Sequence, residues 1–397
     1  MPSHHRPADP PSDGSLRDSA ATSNIQDVVL GASIPLSGPL AEFGNCQRWG
    51  YETAVKDTNR AGGIMIDGTL RRIKLHILDD RTDPALTAEN AERLIADRGA
   101  VALLGSCTPP LVHAGAAVAE RSKIPLVTGC NPLGAFRAAR QWAYAWNLFF
   151  DEHDLASVPF QMMAEMGLAT NKKVAILTDD GPHESKLAGQ LWPAQAASAG
   201  CTVVYNTALP DDPGQLKITI AQAQATGADI VLVDAIPPQA IALRQQMASV
   251  GFAPMLLVVE KGGEPEAFAL ATGSLSDGVL VSGYWHPSFP YPGANELGRR
   301  FHAETQRIPG AQIANAHAVA QVLLDAIARA GSLDGERINA GIAATDKSYV
   351  VGPVKFAADH TAPIALTMTQ WQGGRACVVW PQNRVNAQLI VGLPSAP

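Results

Sequence analysis

No apolar run in this 397-residue chain approaches the roughly 20 residues that a membrane-spanning helix requires. A transmembrane helix is therefore not expected. Long runs of one charge are missing too. The formal net charge is −7 and there is no extended basic stretch, which argues against nucleic-acid binding through counterion release. Only 17% of the residues are charged while 46% are hydrophobic, a globular rather than a disordered composition. Cysteine is sparse: Cys46, Cys107, Cys130, Cys201 and Cys377 are widely spaced and none forms a CxxC pair. That spacing gives no zinc site, and no metal is assigned. An odd count leaves at least one thiol free or paired between chains. Cys201 and Cys377 fall in strand-like runs and read as inert core residues.

Catalytic motifs are missing as well. There is no GxGxxG after the first strand, no GxxxxGK[ST], no HExxH and no GxSxG. No nucleophile–base pair is recognisable, no cofactor is expected, and an enzyme is the weakest reading. Residues Met1 to Asp27 are rich in Pro, Ser, Asp and Ala, with His4 and His5 adjacent. They lack the apolar core of about 7–15 residues that marks a signal peptide. Residues 1–26 therefore read as a disordered leader or an expression remnant, with a natural polar tail as the other reading.

What the chain does have is alternation. From Val28 onward nine apolar strand-like runs appear: VVLGASIPL, IKLHILD, VALLG, IPLVTG, KVAILTD, CTVVYNT, DIVLVDA, MLLVV and GVLVSGYW. Between them lie stretches with Ala and Leu at helical spacing: Thr87 to Arg98, Leu111 to Arg121, Lys186 to Ala199, Leu216 to Thr226 and Gln239 to Val250. Strands alternating with helices predict parallel sheets covered on both faces. A long helical stretch, Ala294 to Ala330, is broken at Ile308-Pro309-Gly310. The last segment reads as short strands turning at Gly373-Gly374. The length suffices for two domains. The expected lobes are 27–146 plus 282–353, and 147–281 plus 354–397.

In open α/β sheets ligands bind beyond the carboxyl ends of the strands. Three segments carry strand residues into Gly/Pro/Ser/Thr turns there: Ile34 to Ile64, the pair Leu103 to Gly115 and Ile124 to Phe136, and Leu256 to Ala269. Thr108-Pro109 reads as a helix start, with Thr capping and Pro at the first helical position. Its dipole end suits a carboxylate, although simple capping explains the same residues. Asn131 has an amide that donates and accepts. Phe43 reads either as a wall of the ligand site or as ordinary packing. Asp79-Asp80 ends a strand; a charged turn fits it better than a metal or phosphate site.

Several short motifs, in order, resemble the branched-chain amino acid (Leu/Ile/Val) binding protein family, the type I periplasmic solute-binding proteins of ABC importers. They are Pro35 to Pro39 (PLSGP), Phe43-Gly44, Asn59 to Ile64 (NRAGGI), and Asp79-Asp80 with Asp83-Pro84. Further on come Ile124 to Val127 (IPLV), Ser249 to Phe252 (SVGF), Gly278 to Leu280 (GVL) and Ala330-Gly331. The resemblance runs from about Asp27 to the C-terminus. It implies an α/β fold of two Rossmann-like lobes with parallel central sheets, joined by three hinge crossovers that close on a ligand.

The resemblance also implies positions. The hydroxyls that hold a ligand carboxylate fall at Thr108 or Pro109 and at Cys130 or Asn131. The covering aromatic falls at Phe43. A Tyr of the second lobe is matched by His183, and a second aromatic is missing at Ala235-Ile236. The acid that pairs with a ligand ammonium matches Glu260, with Lys261 adjacent and able to neutralise it. Cys107 and Cys130 are candidate soft walls, and Gly129, Ala235 and Tyr284 complete the expected lining. A disulfide that some members form has lost one partner, because Thr82 stands there. The implied function is extracytoplasmic binding of a small amino acid or related carboxylate. The implied partner is a membrane permease of an ABC transporter, and the chain is expected to be a monomer. The lack of a signal peptide keeps a second reading open, a cytoplasmic small-molecule sensor of the amide-sensing kind that regulates a partner protein.

Overall fold

The computed structural model describes residues 27–179 and 186–393; the leader expected at 1–26 and His183 lie outside the described residues. From β1 (Val28–Ile34) the chain runs through α1 (Ala41–Arg60), a hairpin of β2 (Ile64–Ile66) and β3 (Thr69–Arg71), and β4 (Ile73–Asp79). It continues through α2 (Pro84–Ala96), β5 (Ala102–Leu104), α3 (Pro109–Ser122), β6 (Leu126–Thr128), α4 (Leu133–Ala139) and β7 (Ala145–Phe149). A crossover then leads to the second lobe. That lobe holds α5 (Glu152–Glu165), β8 (Lys173–Thr178), α6 (Lys186–Ser198), β9 (Thr202–Ala208) and α7 (Pro213–Ala225), then β10 (Ile230–Ala235), α8 (Pro237–Ser249), β11 (Leu256–Lys261), α9 (Glu266–Thr272) and β12 (Leu280–Gly283). The chain returns for α10 (Ala294–Thr305), α11 (Ala311–Ala330), α12 (Gly335–Ala343), the hairpin β13 (Asp346–Tyr349) and β14 (Gly352–Lys355), and β15 (Thr361–Pro363). A third crossover reaches β16 (Thr367–Gln372) and β17 (Arg375–Trp380).

The first sheet has the order β15-β7-β6-β5-β1-β4, and all its pairings are parallel. The second has the order β17-β16-β12-β11-β10-β8-β9. It is parallel from β9 to β12, with β16 and β17 added antiparallel at one edge. Every residue of β5 and of β10 is buried, because helices cover both faces. That is why these strands read as unbroken apolar runs rather than as alternating ones. The α/β class and the two lobes with three crossovers are as expected. The last hairpin turns where expected, with Gly373 and Gly374 at φ 57° and 74°.

The lobe boundaries need correcting. A division after residue 146 cuts through β7, whose residues pair with β6 and β15. The first crossover therefore follows Phe149. The second follows Gly283, the end of β12, and the third follows Pro363, because β15 belongs to the first sheet. Thr361–Pro363 carries no strand pattern of its own; it is a strand only because β7 offers an edge. Helix starts also differ. Those expected at Thr87, Leu111, Leu216 and Gln239 fall late, because each helix begins with Pro at its first position, before the apolar spacing sets in. Asp83 and Asp212 cap two of these helices by accepting from the backbone N–H groups of Ala85 and Gln215.

Helix α11 is buried along most of its length and packs closely on α1. A Cβ on Gly50 of α1 would come within 2.7 Å of the Ala316 Cβ, so the two helices approach more closely there than a larger residue allows. All five cysteines are free thiols. Cys201, just before β9, and Cys377, on edge strand β17, are only partly buried, so neither is the core residue expected.

Candidate ligand-binding site

A cavity of about 690 Å³, counting its open mouth, lies between the lobes at the carboxyl ends of both sheets. The first lobe supplies Phe43 from α1, Thr108 and Pro109 from the β5–α3 junction, and Cys130 and Pro132 after β6. The second supplies Asp234 from β10, Glu260 and Lys261 from β11, Glu264, and Ser282 from β12. The first two crossovers meet at the cavity. Phe149 and Phe150 precede α5, and Tyr284 follows β12. The Tyr284 ring meets Phe149 edge-on at 5.2 Å between centroids. Leu155 on α5 extends this apolar wall, and Gln312 enters from the first turn of α11.

The polar end is acidic. Lys261 Nζ lies 3.2 Å from Asp234 Oδ1. Burial pushes the Glu260 carboxyl up to about 8, over the opposing help of the Ser282 backbone amide, and the Asp234 carboxylate adds to the rise. Burial also raises the Glu264 carboxyl to about 7, although Gln312 Nε2 donates to it at 3.1 Å. Six buried polar atoms around this space have no hydrogen-bond partner: the Thr108 and Ser282 hydroxyls, the Tyr284 phenol, and one carboxyl oxygen each of Asp234, Glu260 and Glu264. Buried polar groups are rarely left unmatched, so such a concentration in one cavity marks a place for a ligand.

Two contacts bridge the lobes beside the cavity. One is the Gln312–Glu264 hydrogen bond. The other centres on Arg307, between α10 and α11. Its Nε lies 3.2 Å from Glu266 Oε2 of α9, and its other arm pairs with Glu42 of α1. The Ile308 N–H donates to Glu266 Oε1 at 3.1 Å.

The expected residues divide clearly. Phe43, Thr108, Pro109, Cys130, Glu260, Lys261 and Tyr284 line the cavity. Cys107, Gly129, Asn131 and Ala235 do not, and His183 lies outside the described residues. Cys107 is buried in a small apolar cluster with Leu40, Phe43 and Leu111. Gly129 lies against α11, where a Cβ would meet Val319 at 2.6 Å and Asn315 at 2.7 Å. The Asn131 amide points to His113 at 3.0 Å instead of into the cleft. Ala235 is core, packed under α8.

Thr108 also departs from its expected role. It occupies the N-cap of α3 at φ 61°, ψ 151°, yet its side chain makes no cap hydrogen bond. Its own N–H donates to the Cys130 carbonyl at 2.8 Å. Pro109 and Pro110 then occupy the first two helical positions and carry no N–H. Two of the N–H donors that suit a carboxylate are thereby missing from this helix end. The charged-turn reading of Asp79-Asp80 holds. Asp79 accepts from Leu36 and Ser37, and Asp80 accepts from Thr82 N–H and the Ser106 hydroxyl. Thr82 ties the same loop through its hydroxyl to the Ser37 carbonyl.

Sequence reasoning passed over Pro132, Phe149, Phe150, Leu155, Asp234, Glu264, Ser282 and Gln312. The strand-end rule reaches Asp234, one residue before Ala235. Glu264 stands in the same loop as Glu260. Nothing in the sequence near Gln312 signals a site.

Residues 27–376 match the family whose description is periplasmic binding protein, so the chain belongs to that family. The Leu/Ile/Val-binding protein homolog 8 of Brucella suis biovar 1 (strain 1330) is 25% identical, over 94% of this chain and 95% of its own length. The branched-chain amino acid transporter substrate binding protein LivJ of Streptococcus pneumoniae, solved with isoleucine, superposes with a TM-score of 0.79 at 19% identity, over 92% of this chain and 100% of that one. A solute binding protein of an R. palustris ABC transporter, solved with benzoate, superposes with a TM-score of 0.76 at 17% identity, again over 92% and 100%. The type I periplasmic binding protein fold expected from the sequence is thereby shown.

Proposed function

We propose that this periplasmic binding protein is the extracytoplasmic solute receptor of an ABC importer, closing its lobes on a small solute of amino-acid size. The observation that carries this reading is the interlobe cavity itself. Its unmatched polar atoms come from the first lobe (Thr108), the second lobe (Asp234, Glu260, Glu264, Ser282) and a crossover (Tyr284). A ligand touching all three stabilises the closed arrangement over an open one, and that differential affinity drives closure. An amine faces Glu260 and Glu264, and an apolar body rests on Phe43, Phe149, Phe150 and Tyr284. The Gln312–Glu264 and Arg307–Glu266 contacts form as the lobes meet, so the docking partner, a membrane permease, can read the closed shape. The protein acts as a monomer and performs no chemistry.

A thermal-shift screen over amino acids, amines, amides and small carboxylates tests this, because ligand binding to the native state raises the apparent melting temperature. A hit that also contracts the protein in small-angle X-ray scattering is expected. A chain that answers to no small solute in the screen is not a solute receptor.

A further inference from the structure

We propose that Cys107 and Cys130 are a redox pair that closes to a disulfide in the first-lobe wall of the cleft, fastening the β5–α3 loop to the β6–α4 loop. The inference goes beyond the solute-receptor reading and does not depend on which solute enters. Its first support is register. Leu103 and Leu104 of β5 lie beside Leu126 and Val127 of β6. The pairing carries on past the strand ends: the Gly105 N–H donates to the Val127 carbonyl at 2.9 Å, and the Thr108 N–H to the Cys130 carbonyl at 2.8 Å. Three residues beyond Leu104 and Val127, the same register sets Cys107 beside Cys130. Opposed residues of neighbouring strands have Cα atoms about 4.8 Å apart and side chains on one face. A disulfide spans roughly 4.4–6.8 Å between Cα atoms, so the pair closes without a large movement. The bond would flank Thr108, whose φ of 61° a non-glycine residue keeps only where its surroundings fix it.

The second support is the placement of the thiols. The Cys107 thiol is in side-chain hydrogen-bond contact with Cys130. Both side chains pack on one apolar cluster, that of Leu40, Phe43 and Leu111. They differ in access: Cys107 is fully buried, whereas Cys130 is partly exposed and lines the cavity. A disulfide-bearing oxidant that enters the cavity therefore meets Cys130 first. The Cys130 thiolate attacks one oxidant sulfur, the oxidant S–S bond breaks, and one oxidant thiolate leaves a mixed disulfide on Cys130. The Cys107 thiolate then attacks the Cys130 sulfur and expels the second oxidant thiolate. The two protons given up by the cysteines pass to the two thiolates released, so two protein thiols are oxidised and one oxidant disulfide is reduced to two thiols. Burial raises the Cys107 thiol, so the second step sets the pace and quickens as pH rises. The other cysteines stand apart from this register. Cys46 belongs to α1, while Cys201, beside β9, and Cys377, on β17, lie at opposite edges of the second sheet.

Thiol trapping on the full chain decides it. The protein is reduced, freed of reductant, held folded with oxidised glutathione at pH 8.5, then unfolded and alkylated with N-ethylmaleimide. The expected mass carries three alkylated cysteines of the five, and the tryptic peptides 99–121 and 124–137 are joined. The oxidised chain is expected to melt about 5 °C or more above the reduced one, because the bond restricts the unfolded chain. Cys107→Ala and Cys130→Ser should each abolish both the joined peptides and the melting gap, and Cys46→Ser should keep both. Circular dichroism confirms that the variants fold; Cys130→Ser, at the partly exposed position, carries the test if Cys107→Ala does not. Five alkylated cysteines after oxidation, a glutathione that stays on Cys130, or a link through Cys46 each overturn the pair. A joined pair that melts no higher than the reduced chain overturns its role as a fastening. None of these outcomes touches the solute-receptor reading, which the thermal-shift screen decides.

Discussion

Asp234 and Glu260 stand directly opposite one another on the neighbouring parallel strands β10 and β11, at the ends that open into the cleft. Opposed residues of adjacent strands point to the same face, so two carboxyls share one buried spot. Lys261 answers Asp234, and Glu260 is left to hold its proton up to about 8.

That pairing predicts a pH-dependent stability. In the unfolded chain Glu260 loses its proton near its ordinary value of 4.5, whereas in the folded chain it keeps it to about 8. Between those values the native state binds more protons, so its contribution is fully present below about 4.5 and is lost as pH rises towards 8. Glu260→Gln removes this loss. The unliganded variant should melt a few degrees above the parent protein at pH 8.5 and within about one degree of it at pH 5, since about 1 kcal/mol corresponds to roughly 2–4 °C for units of this size. Melting curves across the pH range check it, and an equal gap at both ends would contradict the argument.

Arg307 joins α1 of one lobe to α9 of the other through Glu42 and Glu266. Partly exposed ion pairs contribute up to about 1 kcal/mol each, so Arg307→Gln should lower the affinity for the best solute of the screen by about 3–10-fold. The loss should appear as faster dissociation, because the clasp forms only when the lobes meet. Surface plasmon resonance separates the two rates; a change confined to association would point to some other role.

Thr108 is held at φ 61°, ψ 151°, a conformation that costs a non-glycine residue about 1–3 kcal/mol. Thr108→Gly relieves that cost and deletes the hydroxyl facing the cleft. The two effects should run in opposite directions: melting temperature unchanged or higher, affinity lower by about 3–10-fold for one hydrogen bond. Paired melting and calorimetry measure both, and a drop in stability would show that the hydroxyl serves the fold.

Gly129 supports α11 rather than the solute. A Cβ there would press within 2.6 Å of Val319 and 2.7 Å of Asn315, whose side-chain amide also donates to the Gly129 carbonyl. Gly129→Ala should destabilise the protein by about 1–3 kcal/mol, the usual cost of overpacking. Urea unfolding tests this, and an unchanged midpoint would mean that the loop moves aside freely.

The sequence by itself determined the order of strands and helices, the two lobes and the loops at the strand ends. Those features are written locally, in apolar runs, in helical spacing and in turn residues such as Gly373-Gly374. The family motifs from Pro35 to Gly331 agree with them. Where local signals stop, so did the reading. Thr361–Pro363 is a strand only because β7 offers it an edge, and Asn131 faces His113 because the β6–α4 loop turns that way. The floor of the cleft was decided only by tertiary structure. Gln312 reaches Glu264 from 48 positions away, across two lobes, and Tyr284 meets Phe149 where two crossovers converge. Backbone periodicity encodes which face of a helix or strand is buried; it does not encode which distant faces come together. The acidity of this cleft follows from sheet register and lobe closure.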